Sequence, residues 1–163
     1  LVGEIIYNLR AALDYLVYEL ACFDSHQIVE GTQFPIDSKE SGFLHRGKQN
    51  PALSEKGIYL RGVSIAHVTL FQQYQPCYGC QWTAILAALS DPDKHRELIV
   101  VNTPFSLTPE SGTEQFLPDG SVYLHYKATR QVAFYDGAPV IQRLQYLQFQ
   151  VSQVIDEFYP QFQ

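Results

Sequence analysis

The sequence predicts an α+β fold, a mainly helical bundle of about four main helices with a small antiparallel β-meander between residues 98 and 135. Three observations predict it. Apolar residues recur every three or four positions near both ends of the chain, the period of a helix that buries one face. From Leu98 the pattern changes to short β-type runs separated by turn signals. No repeat or low-complexity tract interrupts the 163 residues, a length that suits one domain, 1–163.

The first helix is expected over about 2–21, where Val2, Ile5, Ile6, Leu9, Leu13, Leu16, Val17 and Leu20 fill one arc. Arg10 and Asp14 stand four residues apart at its edge, placed to pair with each other or to point together into a neighbouring groove. After a loop over Phe23–Glu30, Thr32-Gln33-Phe34-Pro35-Ile36 reads as a short extended piece, because Pro35 forces its predecessor out of the helical region. Asp37 or Ser38 is placed to cap a brief helix over Glu40–Leu44, and the polar stretch Gly47–Gly57 reads as a loop.

A helix over about 64–74 is stopped by Gln75-Pro76, and Cys77-Tyr78-Gly79-Cys80 turns the chain into a helix over about 81–90. That helix carries Trp82, Ile85, Leu86 and Leu89 on one side, and Ser90-Asp91-Pro92 breaks it. In the β-region, Leu98–Asn102, Phe116 with Val122–Tyr126, and Gln131–Tyr135 supply three strands, with Pro118-Asp119-Gly120-Ser121 as the hairpin turn. Asp136-Gly137-Ala138-Pro139 then opens the last helix, about 139–158. Its stripe is Val140, Leu144, Leu147, Val151, Val154, Ile155 and Phe158.

Composition narrows function. The chain is 46% hydrophobic with 11 Tyr and 10 Phe, enough apolar area for a packed core. No apolar run reaches the ~20 residues of a membrane span. The net charge is −6 and Lys plus Arg total 11, which argues against broad, sequence-independent DNA binding. Three cysteines, Cys22, Cys77 and Cys80, are too few for a disulfide scaffold and fit a reducing cytoplasm. The chain opens at Leu1 and contains no Met, so it reads as a portion of a longer product. Phosphate-binding glycine loops, the Gly-x-Ser-x-Gly elbow and His-Glu-x-x-His are all missing from the sequence.

The densest chemistry lies in Ser90–Arg96. There His95 is suited to proton transfer near neutral pH, Asp93 to fixing its tautomer, and Arg96 to gripping a phosphate or carboxylate. Arg10 and Asp14 are the proposed partners of this segment, giving the candidate catalytic set His95, Arg10, Asp14, Asp93 and Arg96. The rival explanation is a polar network that locks helix one to the Asp93 turn without doing chemistry. Cys77 and Cys80 form a Cys-x-x-Cys pair with no strand before it and no matching second pair, so it reads as a loop motif, with metal binding well behind and no cofactor expected. Arg61 and His67 match an Arg-x5-His spacing that five His and six Arg produce readily by chance.

Asn8-Leu9-Arg10-Ala11-Ala12-Leu13-Asp14, Gln33-Phe34-Pro35-Ile36, Gln75-Pro76 and Asp93-Lys94-His95-Arg96 together resemble landmarks of a widespread group of uncharacterised bacterial proteins. Those carry Asn-Leu-Arg-Ser-Ala-Leu-Asp-His near the start and Asn-x-Asp-Lys-His-Arg mid-chain. The group's Arg-x4-His is in turn similar to HEPN proteins, which are helical, commonly dimeric ribonucleases of toxin and defence systems. The resemblance implies an RNA or nucleotide ligand and self-association. This chain departs from the pattern because Tyr15 stands where the histidine would be, so His95 would have to replace it or the protein is a non-catalytic relative.

Overall fold

The computed structural model describes residues 2–47, 58–90, 101–102, 106–109, 115–123, 125–129, 132–134 and 136–162. It is mainly helical with a small β part, and divides into two compact units, Leu1–Glu97 with Leu144–Gln163, and Leu98–Arg143. No helix among the described residues is long and apolar enough to cross a membrane.

The helices are α1 (Val2–Ser25), α2 (Glu40–Gly47), α3 (Ile65–Gln72), α4 (Gln81–Ser90) and α5 (Val140–Phe158). On α1 the expected stripe is buried at Ile6, Leu13, Leu16, Val17 and Leu20, and Ala21 joins it. The helix runs past Ala21, its expected end, because the added turn has tertiary partners. Phe23 packs edge-on against Phe162 at 5.6 Å, and Asp24 reaches α3. Ser25 Oγ donates to the Ala21 carbonyl (2.6 Å), and His26, at φ 55°, turns the chain out of the helix.

The short helices are fixed by local chemistry. Ser64 caps α3, its Oγ accepting from the His67 N–H at 3.3 Å. Gly62, just before it, has φ +79°, and a Cβ there would sit 2.9 Å from Val29 Cγ2 and 3.2 Å from the Ala21 carbonyl. The chain can approach α1 this closely only with glycine at that position. Between α3 and α4 a 3-10 turn spans Pro76–Tyr78 and ends on Gly79 at φ +97°. Asp37 takes a different role from the expected cap. Arg46 Nε sits 3.0 and 2.9 Å from its two oxygens, with the N–H aimed at Oδ1 so that Oδ2 has the charge but no aligned hydrogen bond. The Arg46 guanidinium lies 4.2 Å above the Tyr59 ring.

In the first unit, α1, α3, α4 and the main part of α5 share a core. Phe34 meets Phe71 edge-on at 5.4 Å, and Phe71 stacks on Phe158 at 4.6 Å. Leu13, Val17, Leu20, Leu86, Leu147 and Val154 are wholly closed to solvent. Ile155, expected within the α5 stripe, lies on its flank and is 37% exposed.

In the second unit six short strands among the described residues pair antiparallel in nested order. β1 (Val101–Asn102) pairs with β6 (Val132–Ala133), β2 (Ser106–Pro109) with β5 (Tyr126–Thr129), and β3 (Gln115–Phe116) with β4 (Val122–Tyr123). The expectation of a sequential meander is corrected here, since each strand's partner is its mirror position about one central turn. That turn is the expected Pro118–Ser121. Gly120 adopts φ +84°, and Asp119 Oδ1 accepts from the Ser121 N–H (2.9 Å) and hydroxyl (2.6 Å). A second glycine turn, Gly137 at φ +80°, leads into α5, where Arg143 pairs with Asp136 at 2.8 Å.

Candidate functional site

The extended segment Gln33–Asp37 belongs to no sheet, so its peptide groups need other partners. In an extended chain, successive residues present their N–H and C=O to alternate sides. On one side Phe34 meets α1. Its N–H donates to Asp14 Oδ1 at 2.8 Å, and its carbonyl accepts from Arg10 Nη2. Arg10 and Asp14 are one helical turn apart and 3.3 Å from each other. Together they present a donor and an acceptor to one residue, as a neighbouring strand would.

On the other side stands Gln75. Its Nε2 donates to the Pro35 carbonyl (2.9 Å) and the Phe71 carbonyl (3.1 Å), and its Oε1 accepts from the Asp37 N–H (3.0 Å). The side chain is completely buried. The Gln33 N–H donates to Tyr59 O (3.1 Å), and Asp37 O accepts from the Cys77 N–H (3.2 Å). Three sequence landmarks, around Arg10/Asp14, Phe34-Pro35 and Gln75-Pro76, therefore converge on one polar lock. The Cys-x-x-Cys turn contributes backbone to it. Cys77 and Cys80 are free thiols, burial pushes the Cys77 thiol up, and no group of three potential metal ligands occurs among the described residues.

The α1 half of the lock is also the floor of a groove of about 450 Å³. Tyr7, Tyr15 and Tyr18 of α1 line it with Arg10 and Asp14, and the loop Glu30–Thr32 forms the facing wall. Tyr7 and Tyr15 are each 69% exposed, while the Arg10 and Asp14 side chains retain 21% and 31%. Burial raises the Asp14 carboxyl above its ordinary value, outweighing the Arg10 charge and the Phe34 N–H bond, which act the other way. Tyr18 is also pushed up, first by its hydrogen bond with Cys22 and further by Glu19 and Glu30.

A third polar cluster is sealed inside the unit. His67 Nδ1 lies 2.7 Å from Asp24 Oδ2 and 3.1 Å from Ser64 Oγ, while Nε2 faces Gln161 Oε1 at 3.4 Å. The same Asp24 oxygen accepts from the Ser64 N–H at 2.7 Å. Both ring nitrogens are occupied, so this histidine ties α1, α3 and the C-terminal 3-10 turn (Tyr159–Phe162) together.

Of the residues nominated from sequence, Arg10 and Asp14 meet each other and the Phe34 peptide. Asp93, His95 and Arg96 lie outside the described residues, as does their approach to Arg10. Sequence reasoning gave Gln75 no bonding role, reading it as a helix stop and a landmark, and missed the Tyr7/Tyr15/Tyr18 wall. The latter had a signal, because the three tyrosines share one flank of the α1 helix at helical spacing. Asp24 gave none, standing in what reads as loop. No family model, curated protein or solved structure matches the chain.

Proposed function

We propose that the protein is a non-enzymatic binding module of the bacterial cytoplasm, built as a helical bundle around a polar lock and self-associating through a helix face. One observation carries the reading. Arg10 and Asp14, the charged pair nominated for catalysis, are both committed to the backbone of Phe34, one to its carbonyl and the other to its N–H. An arginine holding a backbone carbonyl and a carboxylate holding a backbone N–H fix an extended segment in place, and moving either to serve a reaction would strand a peptide group. The groove above them gives the module a place to bind, within the size range of small-molecule sites.

The alternative, a HEPN-like ribonuclease or nucleotide-processing protein of a toxin or defence system, draws on the same groove, since it opens onto Arg10. In that reading His95 is the general acid/base, Arg10 and Arg96 bind phosphate, and Asp14 or Asp93 orients them. Incubation with a mixed RNA pool separates the two. The binding module leaves the RNA intact, and Arg10→Ala lowers the melting temperature. RNA cleavage that His95→Ala abolishes at unchanged melting temperature would establish the ribonuclease instead. Light scattering reports the self-association directly, and a monomer at high concentration removes that part of the proposal.

A further inference from the structure

We infer that the groove between α1 and the Glu30–Thr32 loop is a binding site for a small organic cation of the alkylammonium class. The inference rests on the binding-module reading and names its ligand. The lining holds two carboxylates, Asp14 and Glu30, against one cation, Arg10. Arg10 is already engaged, with Nη2 on the Phe34 carbonyl and 3.3 Å from Asp14, so the pair is close to neutral as seen from the groove. Glu30 is exposed on the opposite wall and is left as the net charge of the lining.

Three tyrosine rings complete the site. An aromatic face carries negative electrostatic potential and attracts a cation within about 6 Å of its centroid, most strongly where water is partly excluded. Tyr7 and Tyr15 stand 69% exposed on a helix whose other flank is buried, so their rings are open to a ligand in the groove they line. The groove, at about 450 Å³, accepts a headgroup with a few attached carbons. Gly31, at φ +77°, shapes the facing wall in a conformation that other residues rarely adopt. An anion would be repelled by Glu30, and a neutral guest would gain nothing from its charge.

The test is titration of the whole chain, followed by NMR of the tyrosine ring signals, with tetramethylammonium, butylammonium, tert-butanol as the uncharged probe of nearly the same shape as tetramethylammonium, and inorganic phosphate. Saturable shifts at Tyr7, Tyr15 and Tyr18 are expected with both ammonium probes, at least about tenfold tighter than with the neutral probe. Glu30→Gln should weaken the ammonium probes several-fold with no change in melting temperature. Tyr18→Phe should retain binding and Tyr18→Leu lose it, because the ring and not the hydroxyl supplies the attraction. Equal affinity for the neutral probe, preference for phosphate, or no saturable shift with either ammonium overturns the inference. Preference for phosphate or the neutral probe leaves the binding module standing, whereas RNA cleavage dependent on His95 would remove the module itself. Should Tyr18→Leu fail to fold, Glu30→Gln, an exposed position, decides alone.

Discussion

Gln75 and the Arg10/Asp14 pair hold neighbouring peptide groups of one extended segment, yet they do so with opposite chemistry. Gln75 is neutral and fully buried, and its amide is occupied at both ends. Arg10 and Asp14 are charged, sit at the protein's edge, and keep part of their surface open to a groove. An uncharged amide can be buried when each polar atom finds a partner, whereas burying a charged pair costs more desolvation than its attraction returns. The difference teaches where function can reside. The Gln75 side is closed and can only hold the fold together. The α1 side does the same mechanical task while leaving charged groups within reach of a ligand.

Breaking the closed side should have the largest effect. Gln75→Leu preserves bulk but strands the Pro35 carbonyl and the Asp37 N–H, while the Phe71 carbonyl keeps the Tyr74 N–H, and should cost about 4 kcal/mol in urea unfolding. A loss below about 1 kcal/mol would mean that water replaces the amide and that this side is not closed.

The open side should be more forgiving. Arg10→Ala and Asp14→Ala should each cost about 2 kcal/mol, since solvent reaches the vacated positions. The double variant should fall short of the sum, because the two side chains pair with each other and hold the two sides of one residue. Strict additivity would show that they do not act as a unit.

A subtler contrast is pH dependence, which Gln75 cannot show. Asp14's carboxyl has its pKa raised on folding, so between the unfolded value near 3.8 and the raised folded one the folded chain holds the extra proton. Its contribution to stability is therefore fully present below the unfolded pKa and is lost as pH rises through the folded pKa. The stability of wild type relative to Asp14→Asn should decline as pH rises from below 3.8 through the raised folded pKa. A rise over that interval would mean that Arg10 outweighs burial and the shift runs downward.

The smallest effect belongs to the groove wall. Tyr15→Ala should change stability by no more than about 0.5 kcal/mol, as expected of a largely exposed side chain. A drop of about 2 kcal/mol in thermal or urea melts would give the ring a packing role and weaken its assignment to the groove.

What the sequence determined by itself was the helical framework. The stripes of α1 and α5, the Ser64 start of α3 and the Pro118–Ser121 turn were legible, because each depends on residues within a few positions of one another, whereas α3 ends at Gln72, short of the expected stop at Gln75-Pro76. Edge positions such as Ile155 were not, since the width of a buried stripe depends on what packs against it. Only the tertiary structure decided the partners of the polar residues. Arg10 and Asp14 are 24 and 20 residues from Phe34, and Gln75 is 40 from Pro35. The nested strand order was likewise beyond local reading. Periodicity records which face of an element is apolar, but a hydrogen bond between distant residues leaves no period in the chain. It exists only once packing has brought the donor to its acceptor.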